Sequence, residues 1–250
     1  MRTSLLGDVV TVFSRELRPV LRSPFSILVS LVQPLFFLAL FMPLLPADVG
    51  GDTAALAWFV PGVIVMSCLF GTSTTGSNLQ FEMQTGSHER LLVSPLRRPA
   101  LIIGRSLKEI VPVVAQAVII LIVAVPLGLR PDPLGVVAGL VILAVFCVGL
   151  GALSFALALA ARNQEWMFWT VQQTLLFPLM LLGGMLLPVD DGPGWLRTVA
   201  AFNPLSYVVE AQRALFDGEI LSATVGAGAL AAVSVAAVGL LIGVRGMRQA

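Results

Sequence analysis

Six stretches of the chain contain no Asp, Glu, Lys, Arg or His and reach the roughly 20 apolar residues that a helix needs to cross hydrocarbon. They are residues 23–47, 53–81, 110–129, 133–161, 166–189 and 220–244, and the remaining charge-free stretches are too short to span. Before the first of them the pattern changes. At about 100° per residue, Leu6, Val9, Val10, Phe13, Leu17, Val20 and Leu21 share one face of a helix, with Asp8, Arg15, Arg18 and Arg22 opposite. This predicts a helix lying in the interface plane, its apolar face in the lipid boundary and its axis kinked by Pro19. Residues 1–22 have no continuous apolar core and so do not read as a cleaved signal. A simple anchor and a contact to a partner are both open to such a helix. Late in the chain, Gly and Pro interrupt the pattern at residues 190–195, and Asn203-Pro204 reads as a helix start. Residues 204–216 are amphipathic, with Glu210/Arg213 at i,i+3 and Arg213/Asp217 at i,i+4. The uncharged run 198–209 is too short to cross but suits a re-entrant or interfacial helix.

Charge placement orients these spans. With the N-terminus inside, the cytoplasmic segments hold Arg2, Arg15, Arg18, Arg22, Arg90, Arg97, Arg98, Arg105, Lys108, Arg162, Arg245 and Arg248. The outer segments hold only Arg130, Arg197 and Arg213, so both termini are expected in the cytoplasm. Composition agrees: 57% of the 250 residues are hydrophobic and 12% charged, against roughly 45–50% and about 25% in soluble domains. That excludes a soluble enzyme and a disordered chain, and a net charge of +1 leaves no basic field for nucleic acid. The expected fold is an all-α membrane protein of one domain, residues 1–250: the interfacial helix (1–22), then a six-helix membrane domain (23–250) with short outer helices before the last span.

Little in this chain supports covalent chemistry. Cys68 and Cys147 lie in apolar runs far from the one histidine, His88, and no His, Cys or carboxylate cluster suits a metal. His88 lies in the cytoplasmic loop beside Glu89, away from every serine of the spans, so no membrane serine has a base. No GxxxxGK[ST] phosphate cradle occurs, and the sole lysine, Lys108, has the wrong spacing from Gly104, so the chain cannot hydrolyse ATP alone. The spans carry no ionisable group; Glu109 and Glu165 sit only at cytoplasmic ends, which disfavours proton coupling. The span polarity is hydroxyl and amide instead, with Ser67, Ser73, Thr74 and Asn78 in the second span, and Trp169, Gln172, Gln173, Phe177 and Met180 in the fifth. Such groups in hydrocarbon turn inward, either to glue helices together or to line a path for an amphiphile. The largest polar segment, residues 82–109, reads as water-exposed and contains a short amphipathic helix stopped before Pro95. Its Leu91, Leu92 and Leu96 either dip into the interface, with Arg97 and Arg98 on lipid phosphates, or insert into another protein. Gly239/Gly243 and Gly228/Ala232 predict close helix contact, within the chain or, as the alternative, across a dimer.

Two segments in this order, Glu89-Arg90-Leu91-Leu92-Val93-Ser94-Pro95-Leu96-Arg97-Arg98 with Gly104-Arg105, and Asn203-Pro204-Leu205-Ser206-Tyr207 with Glu210 and Arg213, resemble those of a known family. The chain is similar throughout to the permease subunit of type-two ATP-binding-cassette exporters, and within them to the daunorubicin/doxorubicin-resistance permeases. The resemblance implies a dimer of permeases, identical or not, each docked on a separate ATPase subunit that binds ATP and Mg. It makes Glu89, Arg90, Leu91, Leu92, Pro95, Leu96, Arg97 and Arg98 a coupling helix to that ATPase. It assigns the route to the second and fifth spans, through Ser73, Thr74, Asn78, Trp169, Gln172, Gln173, Phe177 and Met180. It places Asn203, Pro204, Tyr207, Glu210 and Arg213 at the outer gate. The expected cargo is a hydrophobic drug, secondary metabolite or lipid; a channel or ion-coupled carrier is the competing expectation.

Overall fold

The computed structural model describes residues 4–22, 24–41, 52–93, 96–162, 164–186, 189 and 192–249. Among them the chain forms α1 (Leu5–Arg22), α2 (Pro24–Phe41), α3 (Asp52–Gln84), α4 (Ser87–Leu92), α5 (Arg98–Lys108), α6 (Ile110–Ala124), α7 (Pro133–Ala160), α8 (Glu165–Leu182), α9 (Gly194–Ala200), α10 (Pro204–Phe216) and α11 (Ala223–Gln249), with no strand. Local chemistry sets several boundaries. The Asp132 carboxylate accepts from the Gly135 N–H at 2.7 Å and starts α7 with Pro133 in its first turn. The Asn203 amide oxygen accepts from the Leu205 N–H at 3.1 Å and starts α10 at Pro204, as the Asn-Pro pair predicts.

Each of the six charge-free stretches contains helix, and among the described residues four helices are long and apolar enough to cross a membrane. Those four are Ala54–Gln84, Arg98–Ala124, Pro133–Ala160 and Ala223–Met247. The apolar part of α2, Leu28–Phe41, is shorter. In α8 the apolar run is diluted by Glu165, Trp166, Gln172 and Gln173.

Helix α7 forms the centre, packed against α11, α3 and α10. Its Phe146 and Phe155 are fully buried, as is Phe59 of α3. The approach of α7 to α11 is backbone to backbone: a side chain at Gly239 would land on the Gly149 carbonyl, so the small-residue pattern works inside the chain, as expected. A smaller apolar cluster, including Val12, Leu79, Ile102, Phe155, Phe168 and Met247, lies at the end of the bundle where α4 and α5 sit.

Three expectations about that end are corrected. Residues 82–109 are not one water-exposed piece: α5 is packed, with Ala100, Ile102 and Ser106 fully buried. Because amphipathic α5 runs straight on into apolar α6 as one candidate span, Arg105, Lys108 and Glu109 are not solvated loop charges but lie buried. Protein contacts, not water, solvate them: Lys108 Nζ lies 2.8 Å from Glu109 Oε1, which also accepts from the Thr75 hydroxyl at 2.7 Å. Asp8, placed on the water side by helical periodicity, is 1% exposed and accepts from the Arg97 N–H at 3.3 Å. The reason is that α1 docks on α5. Val12 packs where Gly104 has no side chain, and a Cβ there would stand 2.8 Å from the Cβ of Val12. Leu6 and Val10 remain exposed on the free flank of α1.

Candidate functional site

Helix α3 is a single run of 33 residues, and three features lie along it. Midway is a cavity of about 260 Å³ walled by α2, α3, α6 and α8. Ser67, Ser73, Thr74 and Ser77 contribute from α3, Gln116 from α6, Ser30 and Gln33 from α2, and Trp169, Gln172 and Gln173 from α8. No charged side chain lines it. The α3 hydroxyls spend their protons on their own helix: Ser67 donates to the Val63 carbonyl at 2.9 Å, Ser73 to Leu69 at 2.9 Å and Thr74 to Gly71 at 2.7 Å. The Gln116 amide donates to the Ser30 hydroxyl at 2.6 Å and ties α6 to α2. Gln172 is 7% exposed, and its Oε1 has no hydrogen-bond partner among the described residues.

At the α10 end of α3, Arg213 closes a second cavity of about 570 Å³. Its Nε donates to the Trp58 carbonyl of α3 at 3.0 Å, and its Nη2 to the Gly184 carbonyl just past α8 at 2.7 Å. Nη1 meets the Glu210 carboxylate at 2.6 Å, and the guanidinium lies 4.0 Å from the centre of the Trp58 ring. One side chain thus binds α3, α8 and α10 together. The predicted i,i+3 pair with Glu210 forms.

At the opposite end, about 36 Å along the helix at roughly 1.5 Å per residue, Arg105 performs the matching task. Its Nη2 pairs with Glu82 of α3, its Nε lies 3.4 Å from Glu16 of α1, and its guanidinium stacks 5.5 Å from the Phe155 ring of α7. The side chain of Ser87, at the start of α4, donates to the Glu82 carbonyl at 3.3 Å. Gln84, the last residue of α3, donates to Glu165 at the start of α8 at 2.7 Å. Helix α8 is therefore fastened near both ends and borders the cavity between them.

The residues expected to line a path divide. Ser73, Thr74, Trp169, Gln172 and Gln173 meet in the cavity. Asn78 and Phe177 are exposed away from it, and Met180 belongs to the core. Sequence reasoning missed Ser30, Gln33 and Gln116; the available signal was that Gln33 and Gln116 are the only amides in their apolar stretches. Of the expected coupling residues, Glu89, Arg90, Arg97 and Arg98 are exposed. Leu91 is buried and Leu96 packs on the local core, so these two do not project as an apolar knob; Val93, 86% exposed, does. Pro95, with Ser94, lies outside the described residues, as do the side chains of Leu92 and His88. At the other end Tyr207, Glu210 and Arg213 line the second cavity. Asn203 and Pro204 instead build the start of α10, and the Asn203 amide donates to the Leu179 carbonyl of α8 at 2.8 Å.

The family model described as ABC-2 type transporter matches residues 8–216, a length that includes the cavity and both arginine centres. The chain belongs to this family. It is similar to the daunorubicin resistance ABC transporter permease protein DrrB1 of Streptomyces coeruleorubidus, 26% identical over 87% of this chain and 77% of that one. The probable doxorubicin resistance ABC transporter permease protein DrrC of Mycobacterium tuberculosis is 25% identical over 82% and 75%. The probable multidrug ABC transporter permease YbhR of Escherichia coli strain K12 is 26% identical over 64% of this chain and 44% of its own length. This ABC-2 protein is thus the membrane permease subunit of an ABC exporter and a multi-pass plasma-membrane protein. As a member of an ABC system it implies a partner ATPase subunit, in keeping with a sequence that has no phosphate-binding loop.

Proposed function

We propose that this permease carries a hydrophobic or amphiphilic compound (a drug, secondary metabolite or lipid) outward, driven by ATP and Mg held on a separate ATPase subunit. The names of the relatives, for daunorubicin, doxorubicin and multidrug resistance, support a drug-like cargo. In this reading the six apolar stretches all cross, both termini are cytoplasmic, the α4 end meets the motor and the α10 end faces out. Two copies form the working unit. Gln33, Thr74, Asn78 and Gln173 sit on exposed sides of α2, α3 and α8, where amides facing hydrocarbon would lack partners.

The observation that carries the proposal is the continuity of α3. One unbroken helix holds the Arg105 centre, the cavity wall and the Trp58 contact of Arg213, and leads within a two-residue turn into α4. A push on Glu89, Arg90 and Val93 enters the bundle through Glu82 and reaches α8 at both of its fastenings. Closing the motor must favour one bundle arrangement over another, which requires contacts that differ between the two states.

The test is co-purification of the tagged chain from native membranes in mild detergent, with an ATPase assay. Arg90→Glu combined with Val93→Asp changes exposed groups only, so the chain should still insert while ATPase association and substrate-stimulated turnover fall to background. Full transport by that double variant would remove the coupling role. A gradient-driven carrier is the second reading, favoured by the buried Lys108–Glu109 pair. Uptake into sealed vesicles that follows an ion gradient and ignores ATP would select it.

A further inference from the structure

The mid-helix cavity has a chemistry narrower than "amphiphile". We propose that it seats the uncharged polar group of its ligand, with the Gln172 amide as anchor, and rejects the same ligand with an ionised head. The inference rests on the exporter reading and adds to it the class of head group.

Three observations carry it. First, Gln172 is nine-tenths buried, and no side chain or main-chain group among the described residues satisfies its Oε1. A buried amide left without a partner is costly, and native structures rarely keep one without a use. Second, the lining holds amides, hydroxyls and one indole but no carboxylate, guanidinium or ammonium. An ionised group entering it would be desolvated with no counter-charge in the lining, and the buried Lys108 and Glu109 already neutralise one another. Third, about 260 Å³ falls just below the roughly 300–1,000 Å³ of sites that enclose a whole drug. A head group fits and the rest of the molecule stays on the apolar flanks.

The hydrogen-bond inventory sharpens the class. The hydroxyl protons of Ser67, Ser73 and Thr74 are used on their own helix, so these groups offer lone pairs only. Donors in the lining include the amide NH₂ groups of Gln33, Gln172 and Gln173, the second N–H of Gln116 and the indole N–H of Trp169. Such a mixed neutral lining matches a head that both gives and takes hydrogen bonds, such as a carboxamide or a hydroxy-ketone. It does not match a phosphate or carboxylate, which needs donors and positive charge, or an ammonium, which needs negative charge.

The experiment uses the full chain in nanodiscs of zwitterionic lipid and three radiolabelled probes with one tail: decanamide, decanoate and decylammonium. Saturable binding is expected for decanamide alone. Gln172→Leu should weaken it roughly tenfold, the loss of one to two hydrogen bonds, and Gln172→Glu should shift the preference to decylammonium. Gln172→Met keeps the unbranched shape and serves if the leucine variant does not fold. Equal binding of the three probes, or decanamide affinity unchanged in both apolar variants, would overturn the proposal. Binding here needs neither ATP nor a motor. A chain that binds decanamide but recruits no ATPase fails the exporter reading alone; one that recruits the ATPase without saturable decanamide binding fails this inference alone.

Discussion

Arg105 and Arg213 stand at opposite ends of α3 and do the same mechanical task with different chemistry. Arg105, its side chain 6% exposed, is held by two carboxylates from two other helices, Glu16 and Glu82. Arg213, 11% exposed, pairs with Glu210 of its own helix and reaches the other helices through the main-chain carbonyls of Trp58 and Gly184. A carbonyl released by an arginine can turn to water, and this one borders a cavity of about 570 Å³ where water can enter. A carboxylate released in a packed setting keeps its charge and has to be resolvated. The α4 end is therefore built to stay together and the α10 end to let go. Under the proposed function, in which the α4 end meets the motor and the α10 end faces out, that asymmetry is the useful one.

The comparison can be broken by substitution, and the largest effect belongs to Arg105. Arg105→Leu leaves Glu16 and Glu82 facing each other without a cation. Partial exposure of both carboxylates puts the expected loss near the low end of the range for broken buried pairs, roughly 3 kcal/mol. Thermal unfolding in detergent reads it, and Arg105→Lys should rescue only in part, since one ammonium cannot reproduce the guanidinium fork. If Arg105→Leu melted like the parent, the α4 end would not be the fixed one. Next is Gly104→Val, which drives a side chain into Val12 of α1 and should cost about 2 kcal/mol by overpacking. Adding Val12→Ala should recover much of that, a coupling a double-mutant cycle measures directly.

Arg213→Met should cost less, about 1–2 kcal/mol, and its signature is local. A cysteine placed at Leu182 should become more reactive to a water-soluble maleimide, while the stability of the α4 end stays unchanged. Equal loosening at both ends would erase the distinction between them. The smallest effect is expected from Gln84→Leu, which removes the exposed bond to Glu165 and should shift stability by about 0.5–1 kcal/mol. Transport is the sharper readout there, because that bond fastens the Glu165 end of α8.

Much of this architecture was readable in one dimension because hydrocarbon is an unforgiving solvent. Charge-free stretches mark helices, Asp132-Pro133 and Asn203-Pro204 mark where helices begin, and Gly239 marks a close crossing, each through rules local to a few residues. The Glu210–Arg213 pair was legible for the same reason, since i,i+3 spacing brings the two side chains together on any helix. Arg105, Lys108 and Glu109 were misread as solvated because a charged residue beside a loop looks the same whether water or another helix will cover it. Asp8 failed identically: periodicity puts it opposite the apolar face, and only the docking of α1 against Gly104 shows that this side also meets protein.

Sequence alone determined that the chain is an all-helical membrane protein without an ATP-binding loop of its own, and that its second and fifth apolar stretches carry hydroxyl and amide groups. Those conclusions depend on composition and on spacing of a few residues, which do not change with the packing. Tertiary structure decided which of those polar groups share a cavity. Ser30, Gln116 and Gln172 are separated by long stretches of chain, and nothing in their local sequence says that α2, α6 and α8 surround the same part of α3. It also decided that Arg105 and Arg213 are centres rather than loop charges, because the partners that make them so come from other helices and from main-chain carbonyls that carry no sequence signal.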